Sequence, residues 1–380
     1  MTTGTTAGGL DLEMHGITVR VRGARPADAR AIEWRLGARR IACERTPDVE
    51  VRFVASLPAL PTARALGGGL VAGSEFAVVA AAKRNRARVC VPLAALAACT
   101  DEAQAGTFPL ELLCEYGAGA SPWLTAVLHA VALGRGMLPL HAAAFAWHDA
   151  GTLVLGESGA GKTGVLLGFL AARARYLAAD WILLSCDGTT LLGRREPVRL
   201  RAWHVRALPE LRQVLNGSVR ARFFLAGVPA AVLERWPGLA RRAAPLAAWV
   251  RRFDRRLWVD VVPERVARNV DSAPCARFTR LWWLEPGAAP SVRIATLEPA
   301  AAAQALTATL MEGVAPLGGL PGAMRAAGMA GNGWMEALAA RLQARLATQL
   351  AGKIVQRIAV PPGTPLRVLL EVLRTGDDAG

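Results

Sequence analysis

Residues 154–163 read VLGESGAGKT. Within them, Gly156-Glu157-Ser158-Gly159-Ala160-Gly161-Lys162-Thr163 satisfies GxxxxGK[ST], a spacing in which glycines let backbone N–H groups turn inward as an anion nest. A helix that starts where the nest ends adds its partial positive charge. In such a loop the lysine reaches the β- and γ-phosphates of a nucleotide, and the threonine hydroxyl completes a magnesium shell. Lys162 is one of three lysines in a chain with 45 lysines and arginines. The broad guanidinium of arginine fits a bed of amides poorly, whereas a compact ammonium on a flexible stem fits it well. Lys83 and Lys353 have no such setting and are expected at the surface.

Two neighbours could extend nucleotide binding into chemistry. His141, in LPLHAAAFAW, precedes the loop strand, and Asp180, in YLAADWILLS, follows the loop helix. A carboxylate within an apolar strand is costly to bury without a partner or metal, so Asp180 is expected to have a function. A histidine on an apolar strand reads either as a core residue or as a functional one. Glu157 reads equally as a complement to the helix N-terminus. Trp203 and His204 are expected to pack in the core beside the site, and Trp282 and Trp283 in the core.

A histidine-bearing strand, a G-[ED]-S-G-x-G-K-[ST] loop, a helix and an acid in the next strand resemble the HPr kinase/phosphorylase superfamily. Bacterial HPr kinase-like proteins of peptide-modification and polysaccharide gene clusters are the most similar. The resemblance covers residues 139–193 well and TRLWWLE, residues 279–285, weakly. It implies a loop fold related to phosphoenolpyruvate carboxykinase, ATP and Mg2+ as cofactors, and phosphoryl transfer to a serine hydroxyl of a protein or peptide. It gives Lys162 and Thr163 the phosphates and metal, matches Glu157 to an acidic loop position and His141 to the strand histidine. Asp180 matches the second of two adjacent acids, and Ala179 replaces the first. One carboxylate must then both hold the metal and orient or deprotonate the hydroxyl, or Glu157 must assist. The catalytic set is Asp180, His141, Lys162 and Glu157; the metal set is Thr163 and Asp180. A second reading is a catalytically weak or inactive ATP-binding module that gates a partner. A motor-type ATPase fits less well, because no run of four apolar residues ending in Asp-Glu follows the loop.

The elements that must position these residues give an α/β order. Thr152–Leu155 reads as a strand, residues 162–173 as a helix, and residues 138–147 and 176–185 as continuous strands. Cys186-Asp187-Gly188 forms a hairpin turn, and residues 257–262 and 278–284 return the chain to the sheet. The order predicts a P-loop core over residues 119–380, of HPr kinase/phosphoenolpyruvate carboxykinase type by resemblance. A small N-terminal α+β domain covers residues 1–118, with GAGASP (117–122) at the boundary, and an Arg-rich helical insertion lies at about 205–250. Trp334–Leu350 is the clearest late helix, and the chain is expected to finish with a strand over residues 354–360.

Composition bounds the function classes. The chain has 380 residues, 53% hydrophobic and 20% charged, enough for one large or two ordinary domains. Its longest apolar runs stop short of the ~20 residues that a bilayer span needs. The N-terminus lacks a basic and an apolar signal region, and six cysteines without a CxxC pair fit reduced, mostly buried thiols; both point to the cytoplasm. The charge of +15 is spread along the chain without interleaved aromatics, which disfavours nucleic acid. The densest basic stretch, Arg251-Arg252-Phe253-Asp254-Arg255-Arg256 after Arg241 and Arg242, reads as a solvated helix face or a surface for an acidic or phosphorylated partner. Self-association is left open.

Overall fold

Short runs of alternating apolar and polar residues, bounded by glycine and proline, make strands the main element of this protein. In β1 (Leu10–Met14), β2 (Ile17–Arg22), β3 (Arg39–Arg40) and β4 (Val49–Val54), residues such as Val19, Val21, Val51 and Phe53 point inward while Arg22 and Arg52 are exposed. The computed structural model describes residues 9–59, 64–67, 70–73, 75–80, 87–94, 110–148, 150–157, 159–225, 236, 245, 257–267, 274–319, 323 and 334–375. With β5 (Arg64–Gly67), β6 (Leu70–Ala72), β7 (Phe76–Ala80), β8 (Arg88–Pro92) and β9 (Leu110–Glu115), these strands form one sheet in the order β3-β1-β2-β4-β9-β8-β7-β6-β5. It is parallel at β2/β4 and β4/β9 and antiparallel elsewhere.

The second sheet carries the loop. It contains β10 (Leu138–His141), β11 (Ala143–Trp147), β12 (Ala150–Gly156), β13 (Arg175–Ala178), β14 (Trp181–Leu184) and β15 (Thr190–Leu192). A separate ribbon pairs β16 (Val198–Arg201) with β17 (Trp258–Val261), and β18 (Cys275–Pro286), β19 (Arg293–Thr296) and β20 (Ile354–Val360) complete the second sheet. Its order is β10-β14-β15-β18-β12-β11-β13, with β20 beside β18 and β19. The loop strand β12 runs parallel to β18, which runs parallel to β20. One apolar cluster joins residues of the first sheet to the Pro122–Gly134, Pro299–Val314 and Trp334–Leu350 helices, through Leu12, Val131, Leu306 and Leu346. A second cluster, with Phe145, Phe169, Trp282 and Leu370, holds the Lys162–Ala171 and Leu366–Thr375 helices. The architecture is mixed α/β.

Several expectations change. The run 138–147 breaks at Ala142, because β10 pairs with β14 while β11 pairs with β12 and β13. The run 176–185 breaks at Ala179-Asp180, so Asp180 lies between strands instead of within one. β17 joins only the ribbon, and the chain continues past β20 into the Leu366–Thr375 helix. Of the expected insertion, Pro209–Val214 is a 3-10 helix; Arg241, Arg242 and residues 251–256 lie outside the described residues, as do Lys83 and Cys99. Cys90 and Cys114 are buried, but Cys186 and Cys275 are exposed. Lys353 sits with its Nζ 5.4 Å from the Phe278 ring centroid. Among the described residues no helix is long and apolar enough to cross a membrane.

The first sheet is tied to the second at the end of the Pro26–Leu36 helix. Gly37 caps that helix at φ 55°, donating its N–H to Glu33 O at 3.0 Å, and a Cβ there would lie 2.5 Å from Glu196 N. Gly37→Ala is therefore expected to lower stability by about 2 kcal/mol or more, through strain and the forced backbone shift. Urea denaturation measures it; an unchanged midpoint would show that this approach is not tight.

Candidate functional site

The glycine-rich loop is shaped by its strand and its helix. At Gly156 φ is 146°, and a Cβ would come within 2.5 Å of Leu284 O on β18, so only glycine lets β12 turn there. Gly159 and Gly161 have φ of 95° and 104°, and a Cβ at either would meet no atom within 4 Å. Both glycines border the cavity, so an anion entering it would meet the loop there. Val165 N donates to Gly161 O at 2.9 Å, and the helix begins at Lys162. Lys162 Nζ donates to Gly156 O at 2.5 Å, and burial lowers its pKa against the opposing pull of Asp180 and Glu312.

His141 stands at the end of β10, opposite Trp181 on β14. Its Nε2 lies 2.9 Å from Asp180 Oδ1 and its Nδ1 lies 3.3 Å from Glu312 Oε2. The ring stacks on Trp181, with centroids 4.9 Å apart and planes 21° apart. The Asp180 hydrogen bond raises the His141 pKa, more than burial lowers it. For Asp180 burial works upward, but the His141 bond and the charges of His141, Arg199 and Lys162 outweigh it and hold the carboxyl below its usual value. Its side chain is 61% exposed. The carboxyl thus opens onto the cavity instead of being enclosed within an apolar strand, and His141, Arg199 and Lys162 offset the burial cost that remains.

Glu196 keeps it open. The carboxylate is buried, and its Oε1 accepts from the N–H groups of Ala179 at 3.1 Å, Asp180 at 2.5 Å and Trp181 at 2.6 Å. Burial pushes the Glu196 carboxyl up to about 7, while Arg194 and these N–H donors pull it down. Arg194, also buried, donates from Nε to Leu36 O at 3.1 Å and from Nη2 to Arg35 O at 2.9 Å. Two residues of one short segment therefore fix the Asp180 bend and the N-terminal helix together.

A cavity of about 890 Å3 brings the sequence-derived residues into one place. His141, Glu157, Gly159, Ala160, Gly161, Lys162, Thr163 and Asp180 all border it, Gly156 lies at the strand end behind, and Ser158 lies outside the described residues. Trp203 and His204 border it too, with His204 buried and its Nδ1 accepting from Arg201 N at 3.0 Å. Trp282 is buried and Trp283 half-buried, as expected for core residues. Among the described residues no cluster of three His, Cys, Asp or Glu side chains is set to hold a metal. A magnesium ion at Thr163 and Asp180 would therefore depend on phosphate oxygens and water for its remaining ligands, which is how Mg2+ is ordinarily bound.

Sequence reasoning missed Glu196, Arg194, Glu312 and Arg35. None lies in a motif; Glu196, Arg194 and Arg35 reach the cavity wall through tertiary packing, and Glu312 stands behind it on His141. Only the acid of the REP tripeptide, residues 195–197, offered a faint signal as a carboxylate between two strands.

The His141–Asp180 pair makes stability depend on pH in a defined window. The raised folded pKa of His141 gives a contribution fully present below pH 6.5 and lost as pH rises through that folded value; the lowered folded pKa of Asp180 gives one present above 3.8 and lost as pH falls through it. His141→Asn is expected to flatten the decline of stability above pH 6.5. Urea midpoints measured from pH 6 to 9 on both proteins test this, and parallel curves would mean that the pair is not ionic.

No protein-family model matches this chain, and no curated protein matches it.

Proposed function

We propose that the protein is an ATP- and Mg2+-dependent phosphotransferase that acts on a hydroxyl group, with a P-loop core of HPr kinase-like type and an N-terminal α+β domain. The acceptor that the motif pattern favours is a serine of a protein or peptide, and the setting is the cytoplasm. The observation that carries the proposal is the meeting, in one cavity, of an open glycine-rich loop bearing Lys162 and a carboxylate held ionised by a histidine.

The loop fits the phosphates of a nucleotide because Gly159 and Gly161 take the positive φ of a nest and border the cavity, and because Lys162 begins the helix. Bound ATP would supply the phosphoryl group and leave as ADP, and Mg2+ would offset its charge. Lys162 and Thr163 would hold phosphate oxygens and metal, and Glu157 borders the same space. Asp180 receives the proton of the acceptor hydroxyl as the new oxygen–phosphorus bond forms. His141 holds the Asp180 carboxylate in place from one side, and Glu312 fixes the other ring nitrogen. Ala179 is 7% exposed and its N–H is tied to Glu196, so Asp180 is the carboxylate that the bend presents to the cavity.

A second reading, an ATP-binding module that gates a partner, draws on the same fact: a lone carboxylate already engaged by His141 is a weaker base than a free one.

Two substitutions test these readings. Lys162→Ala should weaken ATP binding at least about tenfold, or ~1.4 kcal/mol, in a titration on folded protein. Unchanged affinity would remove the loop from the nucleotide site. Asp180→Asn should abolish transfer of label from γ-labelled ATP to acceptors in a lysate while nucleotide binding without Mg2+ persists. If the parental protein transfers label and Asp180→Asn transfers it equally, Asp180 is not the base; if neither transfers nor hydrolyses ATP, the gating reading stands.

A further inference from the structure

The cavity carries positive charge beyond that of the loop. Arg35, Arg194, Arg199, Arg201 and Arg206 border it beside Lys162, against the carboxylates of Glu157, Asp180, Glu196 and Asp260. Arg194 is buried and committed to helix carbonyls. Arg35 and Arg199 are different: both are exposed, and they come from distant parts of the chain. Arg35 lies in the last turn of the Pro26–Leu36 helix, whose last carbonyls Arg194 holds, and Arg199 lies on β16. Arg199 Nε lies 3.3 Å from Asp260 Oδ1, and its guanidinium sits 4.4 Å from the Trp258 ring centroid. Both heads are thus carried on fixed elements.

These guanidiniums lie within electrostatic reach of each other and of Asp180. Arg35 keeps an exposed face at the cavity, but the protein packed around it is the first cause that lowers its pKa, followed by Arg199 and Arg194, while Asp180 and Asp260 raise it. Asp260 already pairs with Arg199, yet Lys162 and the five arginines of the lining outnumber its four carboxylates, so the wall keeps a net positive charge that favours an anion. Beside Arg35, Trp34 is 42% exposed and borders both this cavity and a smaller one of about 340 Å3. The smaller cavity is walled mainly by Val214, Leu215, Val219, Val259 and Val261, with Asn216, Asp260 and Arg265 as its polar members. An ionic wall next to the candidate base thus continues into a mainly apolar cleft.

Resting on the phosphotransferase reading, we infer that the acceptor itself is anionic: Arg35 and Arg199 bind a carboxylate or phosphate group of the hydroxyl-bearing substrate beside Asp180, and its apolar part lies in the cleft at Trp34. The nucleotide phosphates belong to the loop, and this second anion subsite is built jointly by the N-terminal helix and the β16/β17 ribbon. Guanidinium pairs recognise both anions through their planar donors, so the chemistry is shared and the source is set by experiment.

The test uses the full chain without nucleotide. Inorganic phosphate, and acetate in parallel, are titrated by calorimetry into Lys162→Ala protein, in which the loop has lost its ammonium. Binding of either anion is expected to persist there and to weaken about tenfold on adding Arg35→Gln or Arg199→Gln. Stronger binding of phosphate or of acetate identifies which group the acceptor carries. In the otherwise unaltered chain, Arg35→Gln and Arg199→Gln should shift ATP affinity by less than about twofold. Absence of anion binding to Lys162→Ala, binding indifferent to both arginines, or equal loss of ATP and anion affinity in the arginine variants would each overturn the subsite. An ATP affinity unaffected by Lys162→Ala would overturn the nucleotide reading instead, and the two failures are distinct because anion binding is scored without nucleotide. Circular dichroism of each variant confirms the fold; both arginines are exposed, so glutamine leaves no buried gap.

Discussion

Three consecutive backbone N–H groups, of Ala179, Asp180 and Trp181, converge on one buried oxygen of Glu196. A strand cannot offer three neighbouring donors to one side, since successive N–H groups alternate. The carboxylate therefore stabilises a bend, and β13 and β14 become two strands that pair with different neighbours, β11 and β10. The bend turns Asp180 out into the cavity while Ala179 stays packed among apolar residues. Without it, residues 175–184 would satisfy their donors within one ladder. Charge-assisted bonds of this kind are stronger than neutral ones, which suits a site where the alternative is regular pairing.

The same segment binds the first sheet to the site. Gly193 N donates to Pro274 O at 2.6 Å and Arg194 N to Leu177 O at 2.8 Å, so the strap is anchored on both sides before its side chains act. His15 Nε2 lies 2.5 Å from Gly193 O, and Arg194 caps the carbonyls that end the Pro26–Leu36 helix. A buried guanidinium at a helix C-terminus answers both the unpaired carbonyls and the negative end of the helix dipole. The consequence is that residues far from the loop in sequence, Trp34 and Arg35, become part of the cavity wall. The N-terminal sheet is a structural partner of the site, and one continuous apolar cluster backs that connection.

What was legible in the sequence follows from how local each signal is. The loop, its strand and its helix could be read directly, because glycine spacing and helix onset are properties of ten adjacent residues. The hairpin at Cys186-Asp187-Gly188 was legible for the same reason: Gly188 adopts φ 71°, and Asp187 accepts from Thr189 N at 3.0 Å. The break at Ala179-Asp180 was hidden, because YLAADWILLS is apolar enough for an unbroken strand and the residue that breaks it stands sixteen positions after Asp180. The break at Ala142 was hidden likewise, since nothing in LPLHAAAFAW tells β10 from β11 before their partners are known. Residues 257–262 gave a correct strand but the wrong sheet: periodicity reports an edge to be paired and leaves the partner undetermined.

Behind the His141–Asp180 pair, one indole separates two histidines whose pKa values are moved in opposite directions. Trp181 stacks on His141 and, 4.4 Å between centroids, tilts against His129. Gly313 makes room for this, since a Cβ there would lie 2.5 Å from the Trp181 ring. Burial pushes His129 down to about 3, and its Nε2 has no hydrogen-bond partner among the described residues. It is therefore neutral at any pH where the protein is expected to work, and its bare nitrogen serves best as an unprotonated acceptor, with Nδ1–H directed at Gly313 O, 3.4 Å away. His141, one ring further out and between two carboxylates, has its pKa moved the other way. The inner histidine adds no positive charge that would oppose protonation of the outer one. Environment thus divides two identical side chains into a packing residue and the group that keeps Asp180 ionised.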